Sequence, residues 1–277
     1  MIKETNIAAY IGDMDVAMEP VAECKKVDSS NVWLISYAKG EVYVKNQQAL
    51  TISAVNKCID FYKPYTEKHI EPSWYQAHKS ILSQARGAGY WLWKPYFILK
   101  TLMEVPEDDI VIYVDSGAML SKPIDSLVNH LQHNDMVVFR NHHKNKGYVK
   151  HGLLEMMNMY NNKTLEAYQL QASFILVRNT QHARDFIKKW LEWCENEKAL
   201  TDSAPTVTEY YNYVEHRHDQ AILSLLYLQA PDRIMVLPYE KAGEYFLHHR
   251  RREMGYKFLW FLKQKVDEWQ KLPIYKK

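Results

Sequence analysis

Two kinds of segment alternate along the chain. Short apolar runs rich in β-branched residues occupy residues 32–37, 110–114, 136–139 and 173–177. Such runs, with little alternation, predict strands covered on both faces, the usual state inside a parallel sheet. A further short strand is predicted at 233–236. Between the runs, apolar residues recur at helical spacing. Leu50, Ala54, Val55 and Cys58 predict a helix over 47–58. Ser73 is placed to cap a helix over 74–82, and Pro95 to open one reaching Met103. Helices are also expected over 123–131, from the capping Thr180 to about Asn196, over 219–228 and over 256–270. Residues 141–151, polar and without periodicity, read as a functional or mobile loop. Strands alternating with helices imply an α/β fold with a mainly parallel central sheet. No internal repeat or Gly/Ser-rich linker divides the chain. The expectation is one domain over residues 31–255, preceded by a loose extension (1–30) and followed by an amphipathic helix and basic tail (256–277).

Composition narrows the class. At 277 residues, 47% hydrophobic with 9 Gly and 10 Pro, the chain is long and apolar enough to bury a full core. A net charge of +2 gives no global field, so nucleic acid is not an expected partner. The charge is uneven, however: residues 241–277 hold ten Lys/Arg against four Asp/Glu, leaving the rest near −4. A basic end suits anionic lipid or a phosphorylated substrate. The last helix gathers Phe258, Phe261, Leu262, Val266 and Trp269 on one face, for docking on the core or for a membrane interface. Cys24, Cys58 and Cys194 are odd in number and widely spaced, so no disulfide framework or metal pair is expected. That pattern suits a reducing cytosol. With no apolar signal core and no run of about 18 apolar residues, the expected location is cytoplasmic, with peripheral contact at the inner face of the membrane.

Chemistry concentrates in a few clusters. The strand at 110–114 ends in Asp115-Ser116-Gly117. Ligands of open α/β sheets sit beyond the carboxyl ends of the strands, so Asp115 is expected in a binding crevice, unless it merely caps the strand. Arg86-Gly-Ala-Gly-Tyr-Trp-Leu-Trp-Lys94-Pro95 matches neither a Rossmann fingerprint nor a Walker loop. It either sets Arg86 and Lys94 near a phosphate at a helix N-terminus, or plugs the core with aromatics while Lys94 reaches solvent. Glu215-His-Arg-His-Asp219-Gln220 opens a helix and is expected to collect polar groups at an exposed end. Asp219 and Gln220 suit sugar hydroxyls, which need donors and acceptors in fixed geometry; the further histidine of a metal hydrolase is absent. His248-His249-Arg250-Arg-Arg252 suits a diphosphate or is a solvated basic loop. Ala172 and Ser173, small residues entering a strand, leave room for a ligand or for tight packing.

Ser36-Tyr37-Ala38, Gly89-Tyr-Trp-Leu-Trp93-Lys94-Pro95, Tyr113-Val-Asp115-Ser116-Gly117, Gln171-Ala-Ser173, Arg178-Asn-Thr180 and His218-Asp219-Gln220 occur in that order. Together, over residues 32–252, they resemble bacterial GT-A-fold glycosyltransferases, the nucleotide-diphospho-sugar transferases of capsule, lipopolysaccharide and O-antigen loci. The resemblance implies a Rossmann-like GT-A domain with helices on both faces of its sheet. It implies a nucleotide-sugar donor, UDP-linked for preference, and a glycan or lipid-linked glycan acceptor. Ser36, Tyr37 and Ala38 would face the nucleotide. Arg86, Trp93, Lys94, Ser116, Gly117, Ser173, His249 and Arg250 would complete the donor site. Asp115 would open an Asp-x-Asp motif, but Gly117 replaces its second carboxylate. Two solutions follow: Mn²⁺ or Mg²⁺ held by Asp115 with His248 or His249, or metal-independent neutralisation of the diphosphate by Lys94 and the arginine cluster. Asp219 and Gln220 are the catalytic candidates, with a lean toward retention of configuration; Asp219 as the base of an inverting enzyme is the alternative. Two rivals are a sugar nucleotidyltransferase, which lacks its Gly-rich loop here, and a silent glycan- or nucleotide-binding domain.

Overall fold

The computed structural model describes residues 2–3, 24, 30–204 and 207–248. The helix expected over 256–270, the basic tail, His249 and Arg250 therefore lie outside the described residues. Ten strands are described: β1 (Ile2–Lys3), β2 (Val32–Ala38), β3 (Phe61–Thr66), β4 (Ile110–Val114), β5 (Ala118–Leu120), β6 (Met136–Lys144), β7 (Tyr168–Leu170), β8 (Phe174–Arg178), β9 (Ile234–Leu237) and β10 (Phe246–His248). Eight form one sheet in the order β1-β3-β2-β4-β8-β6-β7, with β9 also paired to β6. β2, β3, β4, β6 and β9 run one way; β1, β7 and β8 run the other. The majority direction is parallel, as expected, with β8 inserted against it between β4 and β6.

Side-chain alternation divides the core in two. Val32 pairs with Ile110 and Trp33 with Val111, so neighbouring strands present matched faces. Trp33, Ile35, Tyr37, Val111 and Tyr113 meet the helices Trp93–Glu104, Gln181–Glu195 and His218–Gln229. Val32, Leu34, Ile110, Ile112 and Val114 meet Glu41–Ser53, Asp125–Asn129 and Tyr239–Tyr245 on the other face. Each buried aliphatic side chain contributes about 1.5–3 kcal/mol, so β4, buried along its whole length, is the spine of the sheet.

Several boundaries differ from the periodicity. The first helix is Glu41–Ser53, not 47–58, because Gly40 at φ 83° turns the chain directly after β2. The helix expected over 74–82 breaks at His78 into Pro72–Ala77 and Lys79–Leu82, with Glu71 rather than Ser73 at its N-cap position. Residues 141–151 are not a mobile loop: β6 continues to Lys144, and the short helix Asn145–Tyr148 follows. Thr180 caps its helix as expected, accepting from the Ala183 amide (3.2 Å). The cysteine expectation is overturned, since Cys24 and Cys58 form a disulfide. Sequence spacing hid the pair; the fold brings their Cα atoms within 5.4 Å. Their bond, together with β1 pairing on β3, ties two points of the N-terminal stretch to the domain.

Candidate active site

The carboxyl edge of the majority strands gathers the candidate residues. β4 delivers Asp115, whose amide donates to the Ser173 carbonyl (3.0 Å) at the mouth of β8. The helix Trp93–Glu104 delivers Lys94, and the helix His218–Gln229 delivers Asp219. Lys94 is 3% exposed, so it does not reach solvent. Its Nζ lies 2.8 Å from Asp219 Oδ2 and 3.5 Å from Asp115 Oδ1. Tyr113 OH donates to Asp115 Oδ1 (2.5 Å), and Trp190 Nε1 donates to the Asp219 carbonyl (2.9 Å). Burial works against the Lys94 ammonium, but Asp115 and Asp219 outweigh it and hold Lys94 above the usual lysine value. Burial lifts the Asp219 carboxyl to about 6 against the pull of Lys94. Burial also pushes the Tyr113 phenol well up, with Asp115 adding to the shift, so the phenol stays a donor to that carboxylate.

An unusual backbone positions Lys94. Gly87, Ala88, Gly89, Tyr90 and Trp91 all have positive φ, between 51° and 101°. A Cβ on Gly89 would lie 2.7 Å from Leu82 Cα, so this position demands glycine for space as well as for its torsion. The turn aims Trp93 and Lys94 to different places. Trp93 stacks on Tyr37 (4.2 Å between centroids) in the core and donates to the Gly87 carbonyl (2.9 Å). Lys94 enters the site. The aromatic box thus plugs the core through Trp93, as one reading had it, but Lys94 is buried against Asp115 and Asp219 instead of reaching solvent.

The segment before Asp219 is not an exposed polar end. His216, His218 and Asp219 are buried. His216 and His218 turn ring nitrogens to the carbonyls of Ala199 (2.9 Å) and Leu200 (2.8 Å). Burial lowers His218 to about 4 and His216 well below the usual histidine value; these rings are neutral struts. Gln220 is held on both sides by amides, Gln169 and Asn141.

The remaining candidates spread out. Ser36, Tyr37 and Ala38 are the buried end of β2, and Gln47 donates to the Ser36 carbonyl (3.1 Å). Arg86 pairs with Asp202 (3.1 Å) and Glu215 (3.4 Å), not with the Lys94 cluster. Ser116 is buried beside Asp115. Gly117 has no positive φ, and a Cβ there would meet nothing within 4 Å, so neither torsion nor crowding requires a glycine. His248 is paired across the β5–β10 ladder from Ala118, which brings the C-terminal histidine to the Asp115 side of the fold.

The sequence profile of the galactosyl transferase GMA12/MNN10 family, glycosyltransferase family 34, matches residues 28–265. The chain belongs to that family. It is a glycosyltransferase, as the sequence motifs suggested. No curated protein sequence matches it. Among solved structures it is similar to a glycosyltransferase involved in the glycosylation of the major capsid of PBCV-1. That likeness has 12% identity and a TM-score of 0.45, covering 80% of this chain and 95% of the other. A second is mouse xyloside xylosyltransferase 1, with 9% identity, a TM-score of 0.43, and 75% and 85% covered.

Of the cation set that the resemblance implied, only Asp115 and His248 fall among the described residues. Asp115 Oδ1 accepts from Tyr113 and lies 3.5 Å from Lys94 Nζ, and Gly117 offers no second carboxylate. Among the described residues no group of three His, Cys, Asp or Glu side chains could hold a metal. Nor is any described helix long and apolar enough to cross a membrane. Sequence reading did not single out Tyr113, Trp190, Asn141 or Gln169 as site residues. Only Tyr113 carried a local signal, lying on β4 two residues before Asp115.

Proposed function

We propose that this glycosyltransferase moves a hexose, galactose first among candidates, from a UDP-linked donor to a glycan or lipid-linked glycan acceptor with retention of configuration. The family's description supports the sugar. The observation that carries the site is the buried Lys94 bridging Asp115 and Asp219. In this reading Asp115 orients the ribose through its free oxygen, and Ser116 and Ser173 line the donor beside it. Asp219 and Gln220 receive the hydroxyls of the transferred sugar. Lys94 holds both carboxylates in register and offsets part of their negative charge under the donor. As the anomeric carbon–oxygen bond breaks, negative charge builds on the diphosphate, and cationic groups fixed at its end stabilise it more in a dry site than in water. The acceptor hydroxyl attacks the anomeric carbon, and its proton leaves with the departing phosphate oxygen. Ser36, Tyr37, Ala38, Arg86 and Trp93 serve as the frame behind the donor. His248, with His249 and Arg250 beyond the described residues, is assigned to the diphosphate end.

The test is a thermal-shift and donor-hydrolysis panel of UDP-, GDP- and ADP-sugars. Stabilisation and hydrolysis confined to UDP-hexoses support the reading, with UDP-galactose expected to be fastest. Equal response to all nucleotides, or to none, removes it.

A further inference from the structure

Gln220 stands in the middle of a chain of three side-chain amides whose ends are backbone groups. The His142 amide donates to Asn141 Oδ1 (2.7 Å). Asn141 Nδ2 donates to Gln220 Oε1 (3.3 Å), and Gln220 Nε2 donates to Gln169 Oε1 (2.7 Å). Gln169 Nε2 then donates to the Tyr148 carbonyl (3.1 Å).

A side-chain amide can usually be turned over, exchanging donor for acceptor, and only its neighbours decide between the two. Here both ends are fixed. A backbone N–H can only donate, and a backbone carbonyl can only accept. Starting from either end, every amide has one orientation that satisfies its neighbour, and the two directions agree at Gln220. Turning Gln220 over would set two N–H groups together at Asn141 and two oxygens together at Gln169. Gln169 is fully buried, where unpaired polar groups are costly.

The Tyr148 carbonyl also accepts from the Arg217 amide (3.1 Å). It therefore anchors both the amide chain and the backbone that enters the helix carrying Asp219 and Gln220.

The geometry points to Asn141 and Gln169 as positioning residues that fix which face of the Gln220 amide, carbonyl or NH₂, meets the donor sugar. This rests on the glycosyltransferase role given above to Gln220. Neither residue touches the sugar in this scheme; both act through Gln220. The expected specificity is for a sugar hydroxyl pattern complementary to one amide orientation, which an unclamped glutamine would not enforce.

The experiment measures donor-hydrolysis kinetics, UDP affinity and melting temperature with the nucleotide sugar that wild type hydrolyses fastest. Asn141→Asp keeps the shape and replaces the NH₂ donor with an oxygen facing Gln220 Oε1. It is expected to lower kcat roughly ten-fold, in keeping with the sensitivity of turnover to small misplacements, with UDP affinity and melting temperature unchanged. Gln169→Met is expected to do the same. In the Gln220→Ala background neither substitution should lower kcat further. Unchanged kcat in Asn141→Asp, or losses that multiply with Gln220→Ala, overturns the proposal even if Gln169→Met fails to fold. If Gln220→Ala itself keeps full kcat, the role of Gln220 falls and this inference with it. If wild type hydrolyses no nucleotide sugar, the function proposed above has failed instead.

Discussion

Trp91 stacks on His218, with ring centroids 5.5 Å apart and 25° between the planes. The contact joins the left-handed turn that delivers Lys94 to the first residue of the helix that delivers Asp219. His218 itself has a φ of 48°, and Tyr90 packs against the same ring at 4.9 Å. Two stretches of unfavourable backbone therefore brace one another directly behind the ion pair. Strain of this kind, of order 1–3 kcal/mol per residue, persists only where surrounding contacts over-determine it.

Gly89→Ala is expected to destabilise the fold by at least about 1 kcal/mol, since the new Cβ meets Leu82 Cα in a left-handed torsion. It should also depress turnover by shifting Lys94. Gly243→Ala is the control, because a Cβ there meets nothing within 4 Å. Urea melts and donor hydrolysis of both variants check the pair; equal stability would show that the turn relaxes freely.

Lys94→Met leaves Asp115 and Asp219 facing each other in a buried site. Removing one partner of a buried ion pair costs about 3–5 kcal/mol. Adding Asp219→Asn should return part of that stability without restoring activity. A denaturant series on the single and double variants, beside hydrolysis rates, separates the two effects. An unchanged midpoint for Lys94→Met would mean the carboxylates are solvated.

Asp219 is expected to shape the pH response. With its carboxyl raised to about 6, it is uncharged below that pH and ionised above it. If the ionised form engages the sugar and Lys94, kcat/KM rises as pH passes through about 6, and Asp219→Asn abolishes that limb. The stability sign is opposite. The folded value lies above the ordinary 3.8, so the native state keeps a proton that the unfolded chain has released. The contribution of this group to stability is then full below about 4 and is lost as pH rises through about 6.

Gly117→Asp should fold as wild type, given the open space around its Cβ. It adds the carboxylate that the site lacks. Wild type is expected to bind UDP equally in Mn²⁺ and in EDTA, and the variant to gain Mn²⁺ affinity detectable by electron paramagnetic resonance without any turnover. Loss of UDP binding to wild type in EDTA would show that a cation is held after all.

Reducing Cys24–Cys58, which closes a separation of 34 residues, should destabilise the protein by about 3–4 kcal/mol on the loop-entropy account. Melting temperature with and without dithiothreitol, and for Cys58→Ser, measures it. Disulfides persist chiefly in oxidising surroundings, which is at odds with the reducing cytosol inferred from cysteine spacing alone.

What the sequence disclosed was local. β2, β4 and β8 were legible because each is a run of apolar residues, and the Thr180-capped helix because apolar residues recur at helical spacing behind a cap. Asp115, Lys94, Asp219 and Gln220 stood out as candidates because each adjoins such a run or a proline. β3 was hidden by Lys63 and Pro64, and β7 and β10 by their length of three residues. The disulfide, the burial of His216 and His218, and the clamp on Gln220 were hidden for another reason. Each depends on partners far away in sequence, and no window of neighbouring residues contains them.

The order in which the chain is made bears on the insertion of β8 between β4 and β6. Lys94 and Asp115 exist early in synthesis, yet the strand that separates β4 from β6 arrives only at residue 174, and Asp219 later still. Pairings of such long range form slowly. During refolding, recovery of nucleotide affinity should therefore lag behind recovery of helical circular dichroism, with the Lys94–Asp219 contact among the last to close.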